Sequence, residues 1–306
     1  MIISTARRFS TTPKVFHDIK KVTIIGGGLM GSGIAQVTAK AKIQVCLVDT
    51  NEKALANATS TIESSLKRIA KKMKDDEAEK QIVDGTMSYI STSTDVKEGV
   101  YGADLVIEAI VENIDAKLKL FEQIEDNVPG STVLATNTSS IRLDAIGKSL
   151  KDTTRFGGLH FFNPVPMMKL LEVVRHDSTT DKVFNRLTGF GKAIGKTCVT
   201  CKDTPGFIVN RLLVPYLFES MRLAERGEAN IRDVDIAMKL GAGYPMGPFE
   251  LCDYIGLDTI KFIMDGWTEE YPNEPAFAPS KLLDSMIAEG KFGRKTGQGF
   301  YEYSKK

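Results

Sequence analysis

Lys21-Val22-Thr23-Ile24-Ile25-Gly26-Gly27-Gly28-Leu29-Met30-Gly31 is the stretch on which the fold turns. Its first half is short, apolar and β-branched, which reads as a buried strand. Gly26, Gly28 and Gly31 then fill G-x-G-x-x-G, and Ile34, Ala35 and Val37 carry on at helical spacing. In such a turn the first glycine permits the tight bend, the second lets a pyrophosphate approach the backbone, and the third lets helix and strand pack closely. Phosphate oxygens would sit on the amides and the positive end of the helix that follows.

Working outward, Ile43-Gln44-Val45-Cys46-Leu47-Val48 reads as a second buried strand ending at Asp49. This places an acid roughly 20 residues beyond the glycines, where it can accept both hydroxyls of an adenosine ribose. A 2′-phosphate would call for arginine at that position, so the reading is NAD over NADP. Asp49 has one other reading, the N-cap of the helix that follows.

Alternation continues along the chain. Leu105 to Ala109 reads as a strand, Ala116 to Ile124 as a helix, Thr132 to Thr136 as a strand, and the sheet runs on through Phe156 to Phe162. The expected fold class is therefore α/β, a Rossmann-like doubly wound and mainly parallel sheet, with ligands at the carboxyl ends of its strands. Glu112, Lys117 and Ser139 all follow such ends; Ser139 could equally cap a helix. From Gly206 onward the character changes to long helical runs, Phe207 to Glu225 with Pro215 inside it, Ile231 to Leu240, Phe249 to Met264 and Lys281 to Glu289. No strand–helix alternation remains there. A smaller all-α domain is expected over 206–306, after an NAD-binding domain over 13–205.

Between these halves lies Gly158 to Val174, read as strand, turn, strand. Asn163-Pro164 breaks the first apolar run, since proline removes a backbone donor and restricts the residue before it. If the two runs pair, His160 and Glu172 can meet in a dry place, as a general base and its partner must. The alternative is a hydrogen-bonded core histidine.

Charge and composition narrow the partners. With 40 basic and 39 acidic side chains the formal charge is +1, so no global field argues for nucleic acid or a membrane surface. No apolar run approaches the ~20 residues of a membrane span. An anionic ligand must be met locally, and the helical run from Glu52 to Lys74 ends in Lys67, Arg68, Lys71, Lys72 and Lys74. That cluster reads either as a solvated face or as a docking patch for a phosphorylated tail such as that of coenzyme A. Cys46, Cys198, Cys201 and Cys252 read as reduced thiols, because the C-x-x-C pair lies in a strand pattern and no further ligands are spaced for a metal. Residues 1–12 read as a mitochondrial transit peptide with a matrix address: no acid occurs before Asp18, and Arg7 and Arg8 sit among serines and threonines.

His160-Phe161-Phe162-Asn163-Pro164, Glu172, Asn137-Thr138-Ser139-Ser140 and Asp203-Thr204-Pro205-Gly206-Phe207-Ile208-Val209-Asn210-Arg211 together closely resemble the L-3-hydroxyacyl-CoA dehydrogenase family. The resemblance runs from about Lys21 to Tyr303 and includes Gly243-Tyr244-Pro245-Met246-Gly247-Pro248-Phe249-Glu250-Leu251 and Lys295-Thr296-Gly297-Gln298-Gly299-Phe300-Tyr301. It implies NAD-dependent oxidation of a 3-hydroxyacyl-CoA to a 3-oxoacyl-CoA, with His160 as base, Glu172 as its partner, and Ser139 and Asn210 near the reacting carbon. It further implies that Gly26, Gly28, Gly31, Asp49, Glu112, Lys117, Ser139, Asn163 and Lys295 line the NAD site, that Ser65, Lys72 and Ser139 meet the CoA substrate, and that the helical domain forms a homodimer. Two other classes compete with it. One is the related gulonate dehydrogenase and lambda-crystallin branch, which would have no use for the basic helix; the other is a non-catalytic NAD-binding module, which need not keep His160, Glu172 and Asn210 together.

Overall fold

The computed structural model describes residues 18–71 and 76–303. The transit-peptide reading of residues 1–12, and Lys72 and Lys74 of the basic cluster, lie outside the described residues. The chain divides between Asp203 and Thr204 into two compact units.

The first unit is built on one sheet. Its strands are β1 (Lys21–Ile25), β2 (Gln44–Val48), β3 (Ile90–Ser93), β4 (Leu105–Glu108), β5 (Val133–Thr136), β6 (Phe156–Phe161), β7 (Leu170–Arg175) and β8 (Thr197–Lys202), in the order β3-β2-β1-β4-β5-β6-β7-β8. Every pair is parallel except β6 with β7. A parallel return needs a crossover of a dozen residues or more, and the loop from Phe162 to Lys169 is shorter than that. β7 therefore doubles back beside β6, while the helix α7 (Asp181–Ala193) carries the chain across to a parallel β8. β4, β5 and β6 are buried at every position, as strands covered on both faces must be.

Helices α1 (Leu29–Lys40) and α2 (Glu52–Ala70) pack on this sheet. In α2 the buried residues Leu55, Ala58, Ile62, Leu66 and Ala70 form one stripe, and Asn51 caps its start by accepting from the Ala54 amide at 2.9 Å. The structure describes the expected helix as far as Ala70, with Lys71 as its C-cap; its last three expected residues, from Lys72 to Lys74, lie outside the described residues. After it come α3 (Asp76–Met87), β3 and α4 (Val96–Val100), and then, beyond β4, α5 (Ile114–Glu125) and α6 (Leu143–Gly147). β3 is a half-exposed edge strand, Ile90-Ser91-Thr92-Ser93, with no apolar run to announce it.

The second unit is helical: α8 (Val209–Glu225), α9 (Ile231–Gly241), α10 (Pro248–Ile255), α11 (Leu257–Glu270) and α12 (Lys281–Ala288). α8 runs as one helix through Pro215. The single run expected from Phe249 to Met264 is instead two helices, because Gly256 adopts φ +105°, a left-handed value that ends α10 and starts α11. Phe218, Phe249, Trp267 and Phe277 centre the core of this unit. Two buried carboxylates lock it. Asp235 accepts from the amides of Phe249 and Glu250 and from the Tyr301 hydroxyl at 2.7–3.1 Å. Asp253 accepts from the amides of Phe300 and Tyr301 and from the Tyr303 hydroxyl, each at 2.9 Å. A Cβ on Gly247 or Gly299 would fall within 2.3 Å of one of these carboxylates, which is why those motif positions are glycine.

Candidate active site

The glycine turn between β1 and α1 has three positions with three different demands. Gly26 sits at φ +108°, and a Cβ there would come within 2.4 Å of the Ala109 carbonyl. A Cβ on Gly31 would stand 1.7 Å from the Gly26 carbonyl oxygen. Gly28 is different: its φ of −64° is ordinary and an added Cβ would meet nothing within 4 Å. The protein's own packing does not require glycine there, so the open space is room for a bound group. Gly28 is the N-cap of α1, which has no side-chain cap and no acid in its first turn, leaving its positive end to an anion.

Asp49 stands beside this turn. Its Oδ2 accepts from the Gly27 amide at 2.6 Å and its Oδ1 from the Thr50 amide at 2.6 Å. The helix N-cap is Asn51, so Asp49 is not needed for capping. Gly26, Gly28 and Asp49 line a cavity of about 590 Å³ whose far wall includes Val111, Leu120 and Gln123. The residues fit a dinucleotide: room at Gly28, a helix end for phosphate, and a carboxylate for ribose. Gly31, Glu112, Lys117, Ser139 and Asn163 are not among the lining residues.

Glu112 and Lys117 serve a second piece of the site, the turn Asn137-Thr138-Ser139-Ser140 after β5. Glu112 Oε1 accepts from the Ser139 amide at 3.1 Å, from the Ser140 amide at 3.2 Å and hydroxyl at 3.0 Å, and from the Thr138 hydroxyl. Burial alone would raise the Glu112 carboxyl, but the Lys117 charge and the hydroxyls of Thr138 and Ser140 outweigh it and hold it below its ordinary value. Lys117 is only 1% exposed, with Nζ 2.6 Å from Glu108 and 3.2 Å from Glu112. Glu108 also accepts from the Thr136 hydroxyl at 2.7 Å, and Thr136 Oγ1 accepts from the Thr138 amide at 3.1 Å. Two carboxylates bridged by one ammonium thus fix the turn that carries Ser139.

The third piece is the β6–β7 pair. Register places His160 directly across from Glu172, so their side chains share one face of the sheet. His160 Nδ1 and Glu172 Oε2 lie 2.6 Å apart, the imidazole 6% exposed and the carboxylate fully buried. Phe162 packs against the imidazole with ring centroids 4.5 Å apart. Asn137 joins this piece to the second, its Oδ1 accepting from the Phe161 amide at 3.0 Å. Thr136 pairs with Gly158, so His160 lies past the end of β5, at the carboxyl edge of the parallel strands.

The remaining expected residues are placed as follows. Asn163 is exposed at the start of the β6–β7 loop, and Ser65 is half-buried on α2. Asn210 is the second residue of α8, and Lys295 pairs with Asp258; both belong to the second unit. Sequence patterns give no site role to Glu108, Thr136 or Asn137, the last standing only as the first residue of the Asn137-Thr138-Ser139-Ser140 turn. Glu108 carries a signal, an acid closing the apolar strand Leu105-Val106-Ile107; Thr136 reads as the end of a strand and Asn137 as the start of the turn after it.

A glycine turn with open space at Gly28, an acid at the end of the next strand and a buried imidazole–carboxylate pair fit a dinucleotide-dependent dehydrogenase class. Residues 21–204 match the NAD binding domain, and residues 206–303 the C-terminal domain, of 3-hydroxyacyl-CoA dehydrogenase. The chain is 61% identical over 302 residues to a Caenorhabditis elegans protein named as a probable 3-hydroxyacyl-CoA dehydrogenase, covering 98% of this chain and 97% of that protein. It is 55% identical over 287 residues to the mitochondrial hydroxyacyl-coenzyme A dehydrogenase of Mus musculus, covering 93% and 91%. Among solved structures, (S)-3-hydroxybutyryl-CoA dehydrogenase from Ralstonia eutropha is similar with a TM-score of 0.89 at 39% identity, covering 94% of this chain and all of that one. The chain belongs to the 3-hydroxyacyl-CoA dehydrogenase family and is an NAD-dependent enzyme of that kind.

Proposed function

We propose that the chain catalyses the reversible oxidation of (S)-3-hydroxyacyl-CoA to 3-oxoacyl-CoA in fatty acid β-oxidation, with His160 and Glu172 as the acid–base pair. The observation that carries this reading is the 2.6 Å contact between His160 Nδ1 and Glu172 Oε2 on cross-strand partners. Since Nδ1 is committed to Glu172, Nε2 takes the hydroxyl proton of the substrate. The carboxylate faces the imidazolium that results and holds the ring in the orientation and tautomer the transfer needs. Bound at the glycine turn, the nicotinamide cofactor supplies the hydride acceptor. In the reverse direction the same imidazolium returns its proton to a ketone oxygen.

Ser139 and Asn210 orient that oxygen, and the Glu112 network keeps Ser139 in place. Gly26, Gly28, Gly31 and Asp49 hold the cofactor, assisted by Glu112, Lys117, Ser139, Asn163 and Lys295. Ser65, Lys72 and Ser139 meet the CoA thioester. The NAD-binding domain covers 13–205, and the helical domain, 206–306, covers the acyl group and forms a homodimer. Residues 1–12 direct the enzyme to the mitochondrial matrix, in keeping with the mitochondrial designation of the mouse relative.

The deciding assay follows NADH absorbance with acetoacetyl-CoA and with free acetoacetate. Turnover should be confined to the thioester. Equal turnover of the two, or none in folded protein, would overturn the reading.

A further inference from the structure

The loop that joins the His160 strand to the Glu172 strand also floors a separate cavity of about 440 Å³. Its lining contains Lys40 from the end of α1, Lys169 from the loop and Lys196 before β8, and no aspartate or glutamate. Lys40 and Lys169 are exposed, and among the described residues neither pairs with a carboxylate. Lys196 is buried, which pulls its amine below the ordinary value, and its Nζ donates to the carbonyls of Val165 at 2.5 Å and Met168 at 2.7 Å. Gln36, on the same wall, is 2% exposed, and its Nε2 has no hydrogen-bond partner. A buried amide donor is rarely left unbonded unless a ligand or water completes it. The rest of the wall is apolar, with Ile69 of α2 and Met167 of the loop.

Donors without acids, in a molecule whose formal charge is only +1, concentrate positive potential in one place. The apolar walls restrict what can follow the charge inside. We infer that this cavity binds an anionic head group carried on a slender apolar arm. Lys40 and Lys169 meet the charge, Gln36 donates from the wall, and Lys196 keeps the loop in shape. Two sources share that chemistry: the phosphorylated end and pantetheine arm of the CoA thioester, which rests on the proposed function, and a separate fatty carboxylate, which does not. Ile69 lies one helical turn beyond Ser65 on α2, so the cavity borders the helix face proposed for CoA.

The test compares the full-length wild-type protein with the K40Q/K169Q variant, whose substituted side chains are exposed, and with Gln36→Leu, which removes the buried donor. CoA and decanoate are titrated calorimetrically, and kcat/KM is measured for acetoacetyl-CoA and for acetoacetyl-N-acetylcysteamine, which lacks phosphates. If CoA is the occupant, its affinity and the preference for the CoA thioester over the truncated one both fall about tenfold in K40Q/K169Q, the loss of about 1.4 kcal/mol. If a fatty carboxylate is the occupant, decanoate binds the wild type and both variants weaken it, while CoA affinity stays put. Unchanged CoA affinity together with decanoate binding that is absent, or equal in all proteins, overturns the site. Failure of the wild type to turn over acetoacetyl-CoA would instead refute the proposed function, and the titrations would still decide the cavity.

Discussion

In the first unit Glu108, Glu112 and Glu172 face an ammonium or an imidazole, whereas in the second Asp235 and Asp253 accept from backbone amides and tyrosine hydroxyls. The difference separates two uses of a buried acid. Opposed by a titratable partner, a carboxylate can respond when a proton or a charged ligand arrives. Surrounded by neutral donors, it fixes chain segments and pays for its own burial in free energy: burial raises the Asp235 carboxyl despite its three hydrogen bonds, while Glu112 is held low.

The strongest way to break this contrast is His160→Gln. It should lower kcat by about 10²- to 10⁴-fold, as expected for losing a general base, while NAD affinity and the urea midpoint stay close to wild type. Near-normal kcat would remove the base role. The counterpart in the second unit is Asp253→Ala, which strips the acceptor from two amides and the Tyr303 hydroxyl. A loss of about 3 kcal/mol in urea unfolding is expected from leaving buried donors unsatisfied. An unchanged midpoint would show that the clasp is dispensable.

A smaller effect distinguishes two glycines within one turn. Gly28→Ala should leave stability within about 0.5 kcal/mol of wild type, because the methyl meets no protein atom, yet weaken NAD by about tenfold. Gly31→Ala, 1.7 Å from a carbonyl oxygen, should instead destabilise the fold itself. Wild-type NAD affinity in Gly28→Ala would mean that the space is not used by the cofactor.

The smallest effect is a difference in sign. Glu112 has a lowered native pKa, so its contribution to stability is present above its ordinary value of 4.5 and is lost as pH falls through the lowered one. Asp235 has a raised native pKa, so its contribution is present below its ordinary value of 3.8 and is lost as pH rises through the raised one. The stability advantage of wild type over Glu112→Gln should therefore grow between pH 3 and 5, and that over Asp235→Asn should shrink as pH rises from about 4. Parallel slopes in urea titrations at several pH values would erase the distinction between the two kinds of acid.

Much of the first unit was legible because its elements are local. A strand, three glycines, a helix stripe and an acid at the next strand end are all short-range patterns, and the parallel sheet follows from their alternation. The meeting of His160 with Glu172 was legible only as a condition, since which residues face each other depends on register. Glu108 closes an apolar strand and Asn137 opens a turn, but what they and Thr136 do depends on contacts that join separate strand ends, which no local pattern announces. The split at Gly256 was hidden because a glycine inside an apolar run reads equally as a tolerated helix residue. β3 was hidden for the opposite reason, as its half-exposed residues need no apolar run.

The reversal of β7 against β6 also sets where this chain can change its length. His160 and Glu172 are twelve residues apart and held by a ladder in which neighbouring positions alternate faces. One residue inserted within either strand would turn one member of the dyad away from the other. Residues added between Phe162 and Lys169 would leave the ladder as it stands, so length variation is channelled into the loop. That loop floors the cavity beside Gln36 and Lys196, and what the cavity accepts can therefore drift through insertion while the dyad remains in place.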